Sequence, residues 1–550
     1  MAVYFNVEDQ DNAISLHTKH LGMPSTSQLF RTQRFIGLSN TNPNRSRPAL
    51  PGRKRGARVD PALILQWLRI CETEHTVQCT RMWSDRLLSS RMIDVKARKI
   101  VTCPSQCRYV ALSYMWGGVS PQPGALEAGT LPRTIEDAIT VTKAIGVDYL
   151  WVDALCIDQF ASDQQRQQLA MMDLLYSCAY ITIVALHGDN ADSGLCGVRD
   201  DESPRPSQAC EVIDGTELVS IFALAELELM TSQYNTRAWT LQEFLLSPRR
   251  LVFGKNQAHL LCNTAQYTET IDETVDPAKV LAPPEGTQTG FYFPSSHADA
   301  APASRLAVAD FHYRQLVDAY TNRKMTNSSD SLNAVLGALE YLRKAVLPGG
   351  FVFGLPLAEL PQSLRWIHHR SVQARRRLAF PSWSFVGWEG PALYNETLDL
   401  VHGEGEVRRY DAKTDLVVEY LGVADGGHHH TLRLRGNTLR LEIRNQPFND
   451  GYVVGSDGGI LVGMLHEGNA LHKNTLPEGV FDFLVVERLT YRAAPEGRVR
   501  HALYLLMLDP GHEKGVWERR SMVRLFVEPG FETSPEYGSL LGQRIDVKLE

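Results

Sequence analysis

The stretches YVALSYM (residues 109–115), YLWV (149–152) and YITIVAL (180–186) decide the fold of this chain. Each is a short apolar run with the length of a buried strand. Residues 131–145 and 164–177, which lie between these runs, carry apolar side chains at helical spacing. Strands that alternate with helices are typical of a parallel sheet covered by helices. The pattern therefore predicts an α/β domain in which the three runs are neighbouring parallel strands.

Three motifs follow these elements in a fixed order. They are LSYMWG (112–117), WVDALCIDQ (151–159) and RAWTLQE (237–243), with LSPR (246–249) directly after the last. Together they resemble the fungal heterokaryon-incompatibility (HET) domain, and the resemblance is specific between residues 109 and 253. It implies a flavodoxin-like three-layer core with a mainly parallel sheet, distantly similar to TIR-like domains. It also implies a role in programmed cell death and self/non-self recognition.

The composition argues against a general affinity for polyanions. The formal net charge is -7 and the isoelectric point is near 6.2, so no overall positive field attracts nucleic acid or an anionic membrane. No window reaches the ~18 apolar residues of a membrane span, and the first residues do not form a secretory signal. Nine cysteines, an odd number, are typical of reduced thiols. We expect a cytoplasmic protein, with a nuclear location left open, and neither a nucleic-acid partner nor a membrane span.

Changes in composition and periodicity predict the domain organisation. The basic cluster RKRGAR (53–58) has nothing apolar to bury, so we expect a solvated arm. The alternating runs TLRLR (431–435) and TLRLEI (438–443), joined by Gly436-Asn437, predict a hairpin with a two-residue turn. The expected segments are a disordered basic arm (1–59), a helical lead-in (60–108), the α/β core (109–265), a linker or loop (266–305), a helical segment (306–375) and a β-rich C-terminal region (376–550).

Candidate ligand-binding residues follow the first two strands, at the carboxyl edge where parallel sheets bind ligands. Trp116, Gly117 and Gly118 come after the first strand, without the spacing of a Walker loop or a dinucleotide fingerprint. The glycine pair either turns the chain sharply or faces a ligand. Asp153 follows the second strand, and Asp158 lies five residues later. Each carboxylate can either contact a ligand or cap a helix.

The third motif is chemically the most specific. Trp239 and Glu243 are four residues apart, so on a helix they share one face. The segment WTLQE is similar to the Trp-Cys-Leu-x-Glu motif of plant TIR-like domains, whose glutamate is required for cleaving NAD, although Thr240 replaces the cysteine. The resemblance implies that Glu243 is catalytic and that Trp239, Asp153, Trp116, Gly117, Gly118 and Arg237 contact the substrate.

The proposed chemistry suits a single carboxylate. Breaking the bond between ribose and nicotinamide builds positive charge on the ribosyl group, which a carboxylate stabilises. Alternatively, Glu243 pairs with Arg237 or Arg249 and only fixes its helix. We therefore expect either an NAD-cleaving effector or a non-enzymatic recognition module. Both interpretations include activation by a protein partner or by self-association, and neither requires a cofactor, since NAD would be the substrate.

Cys71, His75 and Cys79 are spaced by four residues each, so on a continuous helix they lie near one another. Three ligands are one short of a closed structural zinc site. Cys103 or Cys107 could supply a fourth, but the paired Cys-x-x-Cys spacing of such sites is missing. The sequence therefore favours buried packing, and we expect no metal at these residues.

Overall fold

The computed structural model divides into unit 1 (Met1–Ser295) and unit 2 (Ser296–Glu550). The boundary falls inside the predicted linker, although the sheet of unit 1 continues as far as Thr268. No helix among the described residues combines the length and apolar character needed to cross a bilayer. The structure describes residues 2–7, 14–19, 34–39, 51–158, 168–169, 171–199, 205–213, 216–273, 302–345, 349–368, 374–394, 411–423, 430–448, 451–455, 461–466, 479–493, 498–511, 515–527 and 541–550.

Unit 1 contains two sheets within these residues. One has six strands, including β1–β4, β10 and β11, and the other has eight in the order β14-β13-β12-β9-β7-β8-β5-β6. The strands are β1 Ala2–Val7, β2 Ile14–Lys19, β3 Arg34–Ser39, β4 Pro51–Gly52, β5 Arg91–Asp94, β6 Lys99–Thr102, β7 Tyr109–Ser113, β8 Tyr149–Trp151, β9 Ile181–Ala185, β10 Cys210–Ile213, β11 Thr216–Ile221, β12 Arg249–Phe253, β13 Ala258–Cys262 and β14 Gln266–Thr268.

The three runs that decide the fold are neighbours, as predicted. Strand β7 is parallel to β8 on one side and to β9 on the other, so that Ala111 pairs with both Trp151 and Thr182. Strand β12 extends this parallel centre beyond β9. All residues of β7, β9 and β12 are buried, because both faces of the central strands are covered. Antiparallel strands complete the sheet at each side, so the sheet is mixed and not mainly parallel as the resemblance implied.

Local hydrogen bonding explains where the first helix of unit 1 begins. The Asp60 carboxylate accepts a hydrogen bond from the Ala62 amide at 2.8 Å, and Pro61 occupies the first turn, as expected of an N-terminus. The predicted helix over 131–145 is present, and the predicted helix over 164–177 is present from Met172 to Ser177, whereas residues 164–167 and 170 lie outside the described residues. The helices are α1 Pro61–Glu74, α2 Ala125–Ala128, α3 Arg133–Ala144, α4 Asp153–Cys156, α5 Met172–Ser177, α6 Ala225–Thr231 and α7 Ala238–Leu246, with 3-10 turns at Asp85–Ser89 and Tyr234–Thr236.

The basic cluster differs from the predicted solvated arm. The Arg53 guanidinium pairs with Asp272 at 3.3 Å and with Glu273 at 2.6 Å, and the Arg55 amide donates to Gln208 at 2.9 Å. These acceptors on Asp272, Glu273 and Gln208 are more than 150 positions away along the chain, so the run alone could not predict them. At least residues 53–55 are therefore fastened to unit 1.

Unit 2 is helical at first and then rich in strands. Two long helices precede the other elements, and most of the strands form one nine-stranded sheet among the described residues. The elements are α8 Pro302–Thr321, α9 Asn333–Ala345, β15 Phe351–Val352, β16 Leu355–Pro356, α10 Leu360–Ser363, β17 Ile367–His368, β18 Arg375–Arg376, β19 Trp388–Glu389, β20 Ala392–Leu393, β21 Asp411–Lys413, β22 Val417–Val423, β23 His430–Phe448, β24 Gly451–Gly455, β25 Leu461–His466, β26 Gly479–Ala493, β27 Arg498–Pro510, β28 Val516–Val527 and β29 Leu541–Leu549, with 3-10 turns at Ser328–Asp330, Leu357–Glu359 and Phe385–Gly387.

The predicted hairpin at Gly436-Asn437 is wrong. Strand β23 runs straight through this dipeptide, and Gly436 pairs with Ile545 of β29. A side chain at Gly436 would lie 2.9 Å from Leu416 Cδ1 and 3.1 Å from Leu484 Cδ1. The glycine is therefore suited to a close approach of neighbouring side chains, which is the other common reason for glycine within a strand.

Candidate functional site

Several polar side chains meet at the carboxyl edge of the parallel strands. Ser113 is the last residue of β7, and Asp153 is the first residue of α4, two positions after β8 ends. Glu243 comes from α7, which packs against β7. The topology thus brings together residues from all three sequence motifs, and for the first two motifs the strand ends predicted this position.

Glu243 is enclosed and only 5% exposed. The Ser113 hydroxyl donates a hydrogen bond to its carboxylate, and the Tyr234 hydroxyl lies 2.6 Å from Ser113 Oγ. The Tyr176 hydroxyl, which donates to the Leu112 carbonyl at 3.1 Å, lowers the pKa of Glu243. Burial nevertheless dominates, and it raises the pKa of Glu243 to about 7. This side chain is therefore close to half ionised at neutral pH.

Asp153 lies beside Trp116 in the same cluster. The Trp116 indole donates from Nε1 to the two carboxylate oxygens of Asp153 at 3.0 and 3.2 Å, and the Ala154 amide donates at 2.7 Å. Burial raises the pKa of Asp153 to about 6, although the charge of Arg237 opposes the increase. A tryptophan and an aspartate from different motifs are thus held together, which supports their assignment to one site.

The positive charge of Arg237 acts on both carboxyl groups. Its charge lowers the pKa of Glu243 and of Asp153, whereas Asp153 raises the pKa of Glu243. Arg237 also donates to the Tyr114 carbonyl at 2.7 Å. Arg249, the other cation proposed as a partner of Glu243, instead donates to Cys71 Sγ and to the Tyr180 carbonyl. Of the two cations proposed as partners of Glu243, Arg237 is therefore the one whose charge acts on its carboxyl group.

The glycine pair has two different roles. Gly117 has a φ of +57°, and a Cβ atom there would lie 2.2 Å from Asn190 Cβ, so only glycine fits. Gly118 has a φ of +80° but faces open space. The prediction of a sharp turn is therefore confirmed, and Gly118 is the member of the pair at which a side chain would meet open space.

Trp239 is half-buried, and no ring contact or hydrogen bond of its side chain occurs within the described part of the chain. It shares α7 with Glu243, as predicted. Ser113, Tyr176 and Tyr234 were not predicted as site residues. Ser113 lies inside the first motif and ends a strand, so its position offered a signal, whereas the tyrosines are ordinary core residues in the sequence.

A cavity of about 710 Å³ opens at the same edge, but it contains neither Asp153 nor Glu243. Leu186 and His187, which follow β9, line it together with Glu228. Burial raises the pKa of Glu228 to about 7. Asp189 also lines this cavity, and its carbonyl is close to Gly117. The loop at residues 189–190 therefore separates the cavity from the glycine turn.

The cysteine cluster is larger than the sequence predicted. Cys71, His75 and Cys79 are joined by Cys262, and ligand atoms of all four lie within 4.8 Å of one another. Neither Cys103 nor Cys107 is the fourth member, since their sulfurs form a separate pair 3.7 Å apart. The expectation of no metal depended on a missing fourth ligand, and that premise is wrong.

Residues 109–243 match the family model of the heterokaryon incompatibility protein (HET). The match begins at the first residue of β7 and ends at Glu243, so it includes all three motifs. The resemblance predicted from these motifs is confirmed, and the HET domain implies a role related to heterokaryon incompatibility and cell death. No curated protein and no solved structure matches the chain.

Proposed function

We propose that the HET domain cleaves NAD at the bond between nicotinamide and ribose, at the carboxyl edge of the sheet. One observation carries this proposal: Glu243 is buried, Asp153 is half-buried in the same cluster, and the pKa of each carboxyl group is raised. Perturbed carboxyl groups cluster at catalytic sites because burial adjusts them to operate near neutral pH. The proposal includes the expectation that the domain has a TIR-like three-layer arrangement.

Each residue of the proposed site has a role that follows from its chemistry. The ionised Glu243 carboxylate stabilises the positive charge that develops on the ribosyl group. Asp153 accepts a hydrogen bond from a ribose hydroxyl, and Arg237 contacts the pyrophosphate. The Trp116 and Trp239 rings stack on flat groups of the nucleotide. Gly117 and Gly118 keep the neighbouring loop free of side chains. Nicotinamide leaves as a neutral molecule, so no strong general acid is needed, and a water molecule adds to the ribosyl carbon and releases a proton.

The enclosure of Glu243 implies control of access. A side chain that is 5% exposed cannot contact a ribosyl group until the loops around it move. We therefore propose that the described conformation is the resting one, and that an activating partner or self-association opens the site. Such gating by loops is common in enzymes that must exclude water or remain inactive.

A second candidate function is a non-enzymatic recognition module. The hydrogen bonds beside Glu243 favour it, because Ser113 links the Glu243 carboxylate to the Tyr234 hydroxyl in the core. In this case the network fixes one packing of α7 on β7, and an outer surface recruits the partner. Both functions use the same domain, since a fold does not determine an activity.

The test is the release of nicotinamide from NAD by the purified full chain. The assay covers a range of protein concentrations and includes a crowding agent, so that self-association is sampled. Release that grows faster than linearly with protein concentration is expected if assembly opens the site. A wild-type chain without turnover in any assembly state, while it remains folded by circular dichroism, would contradict the enzyme and support the recognition module.

A further inference from the structure

Four potential metal ligands converge at the end of α1. Cys71 lies in its last turn, and His75 is its C-terminal cap. Cys79 follows one turn later, because its amide donates to the His75 carbonyl at 3.0 Å. Cys262 is the last residue of β13, and it arrives from more than 180 positions away. Helix α1 and the hairpin of β13 and β14 (Gln266–Thr268) therefore meet at one group of donor atoms.

The spacing of these atoms suits a tetrahedral zinc ion. Zinc binds sulfur at about 2.3 Å and nitrogen at about 2.0 Å, so tetrahedral ligand atoms lie roughly 3.5 to 3.8 Å from one another. All four atoms here are within 4.8 Å of one another, and His75 Nδ1 lies 3.3 Å from Cys262 Sγ. Small side-chain adjustments are enough to place one ion among them.

The surroundings of the sulfur atoms provide a second observation. The Arg249 side chain donates from Nε to Cys71 Sγ at 3.2 Å. The backbone amides of Thr264 and Ala265 point at Cys262 Sγ at 3.4 and 3.2 Å. Donors directed at sulfur stabilise a thiolate, and such contacts orient metal ligands and adjust their charge.

Arg249 itself needs a negative partner. It is 5% exposed, and among the described residues it forms no ion pair with a carboxylate. A buried guanidinium without a counter-charge is strongly unfavourable. Three thiolates and a neutral imidazole around a divalent cation carry a net charge of about -1, and Arg249 balances it.

We propose that Cys71, His75, Cys79 and Cys262 bind one structural zinc ion. Soft thiolate ligands in a tetrahedral set of three sulfurs and one nitrogen select zinc among the divalent metals of the cell. Four protein ligands leave no open position, so the ion fastens α1 to the β13–β14 hairpin and takes no part in catalysis. The site is independent of the function proposed for Glu243.

Metal analysis of the purified full chain is the first test. The protein is expressed with zinc in the medium, and it is purified under reducing conditions without a polyhistidine tag. We expect one zinc per chain by plasma mass spectrometry. Cys262→Ser and Cys79→Ser should lose at least about three quarters of it, because a closed site depends on every ligand. Cys103→Ser is the matched control, since it removes a buried thiol from the neighbouring pair, and it should keep one zinc.

Cobalt substitution covers the case in which a cysteine variant does not fold. Wild-type protein stripped with a chelator and refilled with Co²⁺ should show the intense visible bands of a tetrahedral thiolate site. The X-ray absorption of the zinc form should fit three sulfurs at about 2.3 Å and one nitrogen. The proposal is overturned if reduced wild-type protein takes up no zinc, if Cys262→Ser retains a full equivalent, or if the native mass shows a disulfide among these cysteines.

Discussion

Each edge of the large sheet in unit 1 holds a cluster of polar side chains. The two clusters differ in how well their negative charge is compensated. Cys262 pairs with Arg249, the first residue of β12, so the cysteine cluster lies at the amino edge of the parallel strands. There a cation and backbone amides point at the sulfur atoms. At the carboxyl edge, Glu243 is buried and Asp153 is half-buried, and the charge of Arg237 offsets the resulting rise in their pKa values only in part.

By this difference, the cysteine cluster stabilises the fold, whereas the two carboxyl groups lower its stability. A group whose pKa is shifted toward its neutral form is destabilising whenever it is ionised at neutral pH. Evolution retains such groups at functional sites, where an activity compensates for lost stability. By this reasoning the amino edge is structural and the carboxyl edge is functional, and four predictions test the contrast.

The largest effect is expected at the amino edge. Removing zinc from the wild-type chain with a chelator should lower the free energy of unfolding by more than about 3 kcal/mol, because the binding free energy of a structural zinc contributes to folding. Calorimetry should record a lower Tm that returns when zinc is restored. The Cys103→Ser variant should respond as the wild type does. A Tm that does not change after complete removal of the metal would refute a structural role.

Glu243→Gln should abolish most of the activity. The substitution keeps the volume of the side chain and removes its charge, and losing one preorganised electrostatic group slows turnover by about a hundredfold to a thousandfold. Initial rates of nicotinamide release measure this effect. The matched control is Glu228→Gln, which also replaces a buried carboxyl group with a raised pKa but lies outside the proposed site. Equal losses in both variants would indicate a general disturbance of the fold.

The same Glu243→Gln variant should be more stable than the wild type at alkaline pH. The folded pKa of about 7 lies above the ordinary value of 4.5, so the folded chain binds more protons than the unfolded chain between these values. Wild-type stability attributable to Glu243 therefore falls as pH rises from about 4.5 through 7, whereas glutamine does not titrate. We expect the variant to gain about 2 to 3 kcal/mol relative to the wild type between about pH 5 and pH 8. Urea unfolding at both values measures the difference, and a gain that does not depend on pH would refute this reasoning.

The smallest effect concerns the two tryptophans. Trp116→Phe removes the donor to Asp153, and we expect a loss of about 0.5 to 1.5 kcal/mol in the free energy of unfolding. Trp239→Phe is the matched control, because its indole donates no hydrogen bond within the described part of the chain. It should change stability by less than about 0.5 kcal/mol. Urea titrations at neutral pH compare the two, and a larger loss for Trp239→Phe would contradict the assigned contacts.

The central strands could be predicted because the local sequence of each strand determines it. Strands β7, β8 and β9 are apolar runs of strand length, and their pattern is sufficient to place them in one parallel sheet. The same reasoning predicts that Asp153 lies at the carboxyl edge, whereas Glu243 is predicted as a site residue by the resemblance of its motif. The hairpin predicted at Gly436 is wrong because a glycine in a sequence is equally compatible with a turn and with close packing inside a strand.

The remaining features depend on contacts that are distant along the chain. Cys262 completes the cysteine cluster, but it is separated from His75 by 187 positions, and no spacing rule connects them. Arg53 likewise pairs with Glu273, 220 positions away. Ser113 and Tyr234 surround Glu243 only after β7 and α7 pack together. Local patterns predict elements and their ends, whereas these partners are determined by the tertiary fold.

The ionisation of Glu243 is the most direct test of the contrast between the two edges. Infrared difference spectra of the wild type against Glu243→Gln isolate the carbonyl stretch of the protonated carboxylic acid, and its intensity can be followed as pH changes. The account predicts that this band disappears with a midpoint near 7, the pKa of the buried group. A midpoint near the ordinary value of 4.5 would mean that the charge of Glu243 is well stabilised in the fold. The carboxyl edge would then be structural, like the amino edge.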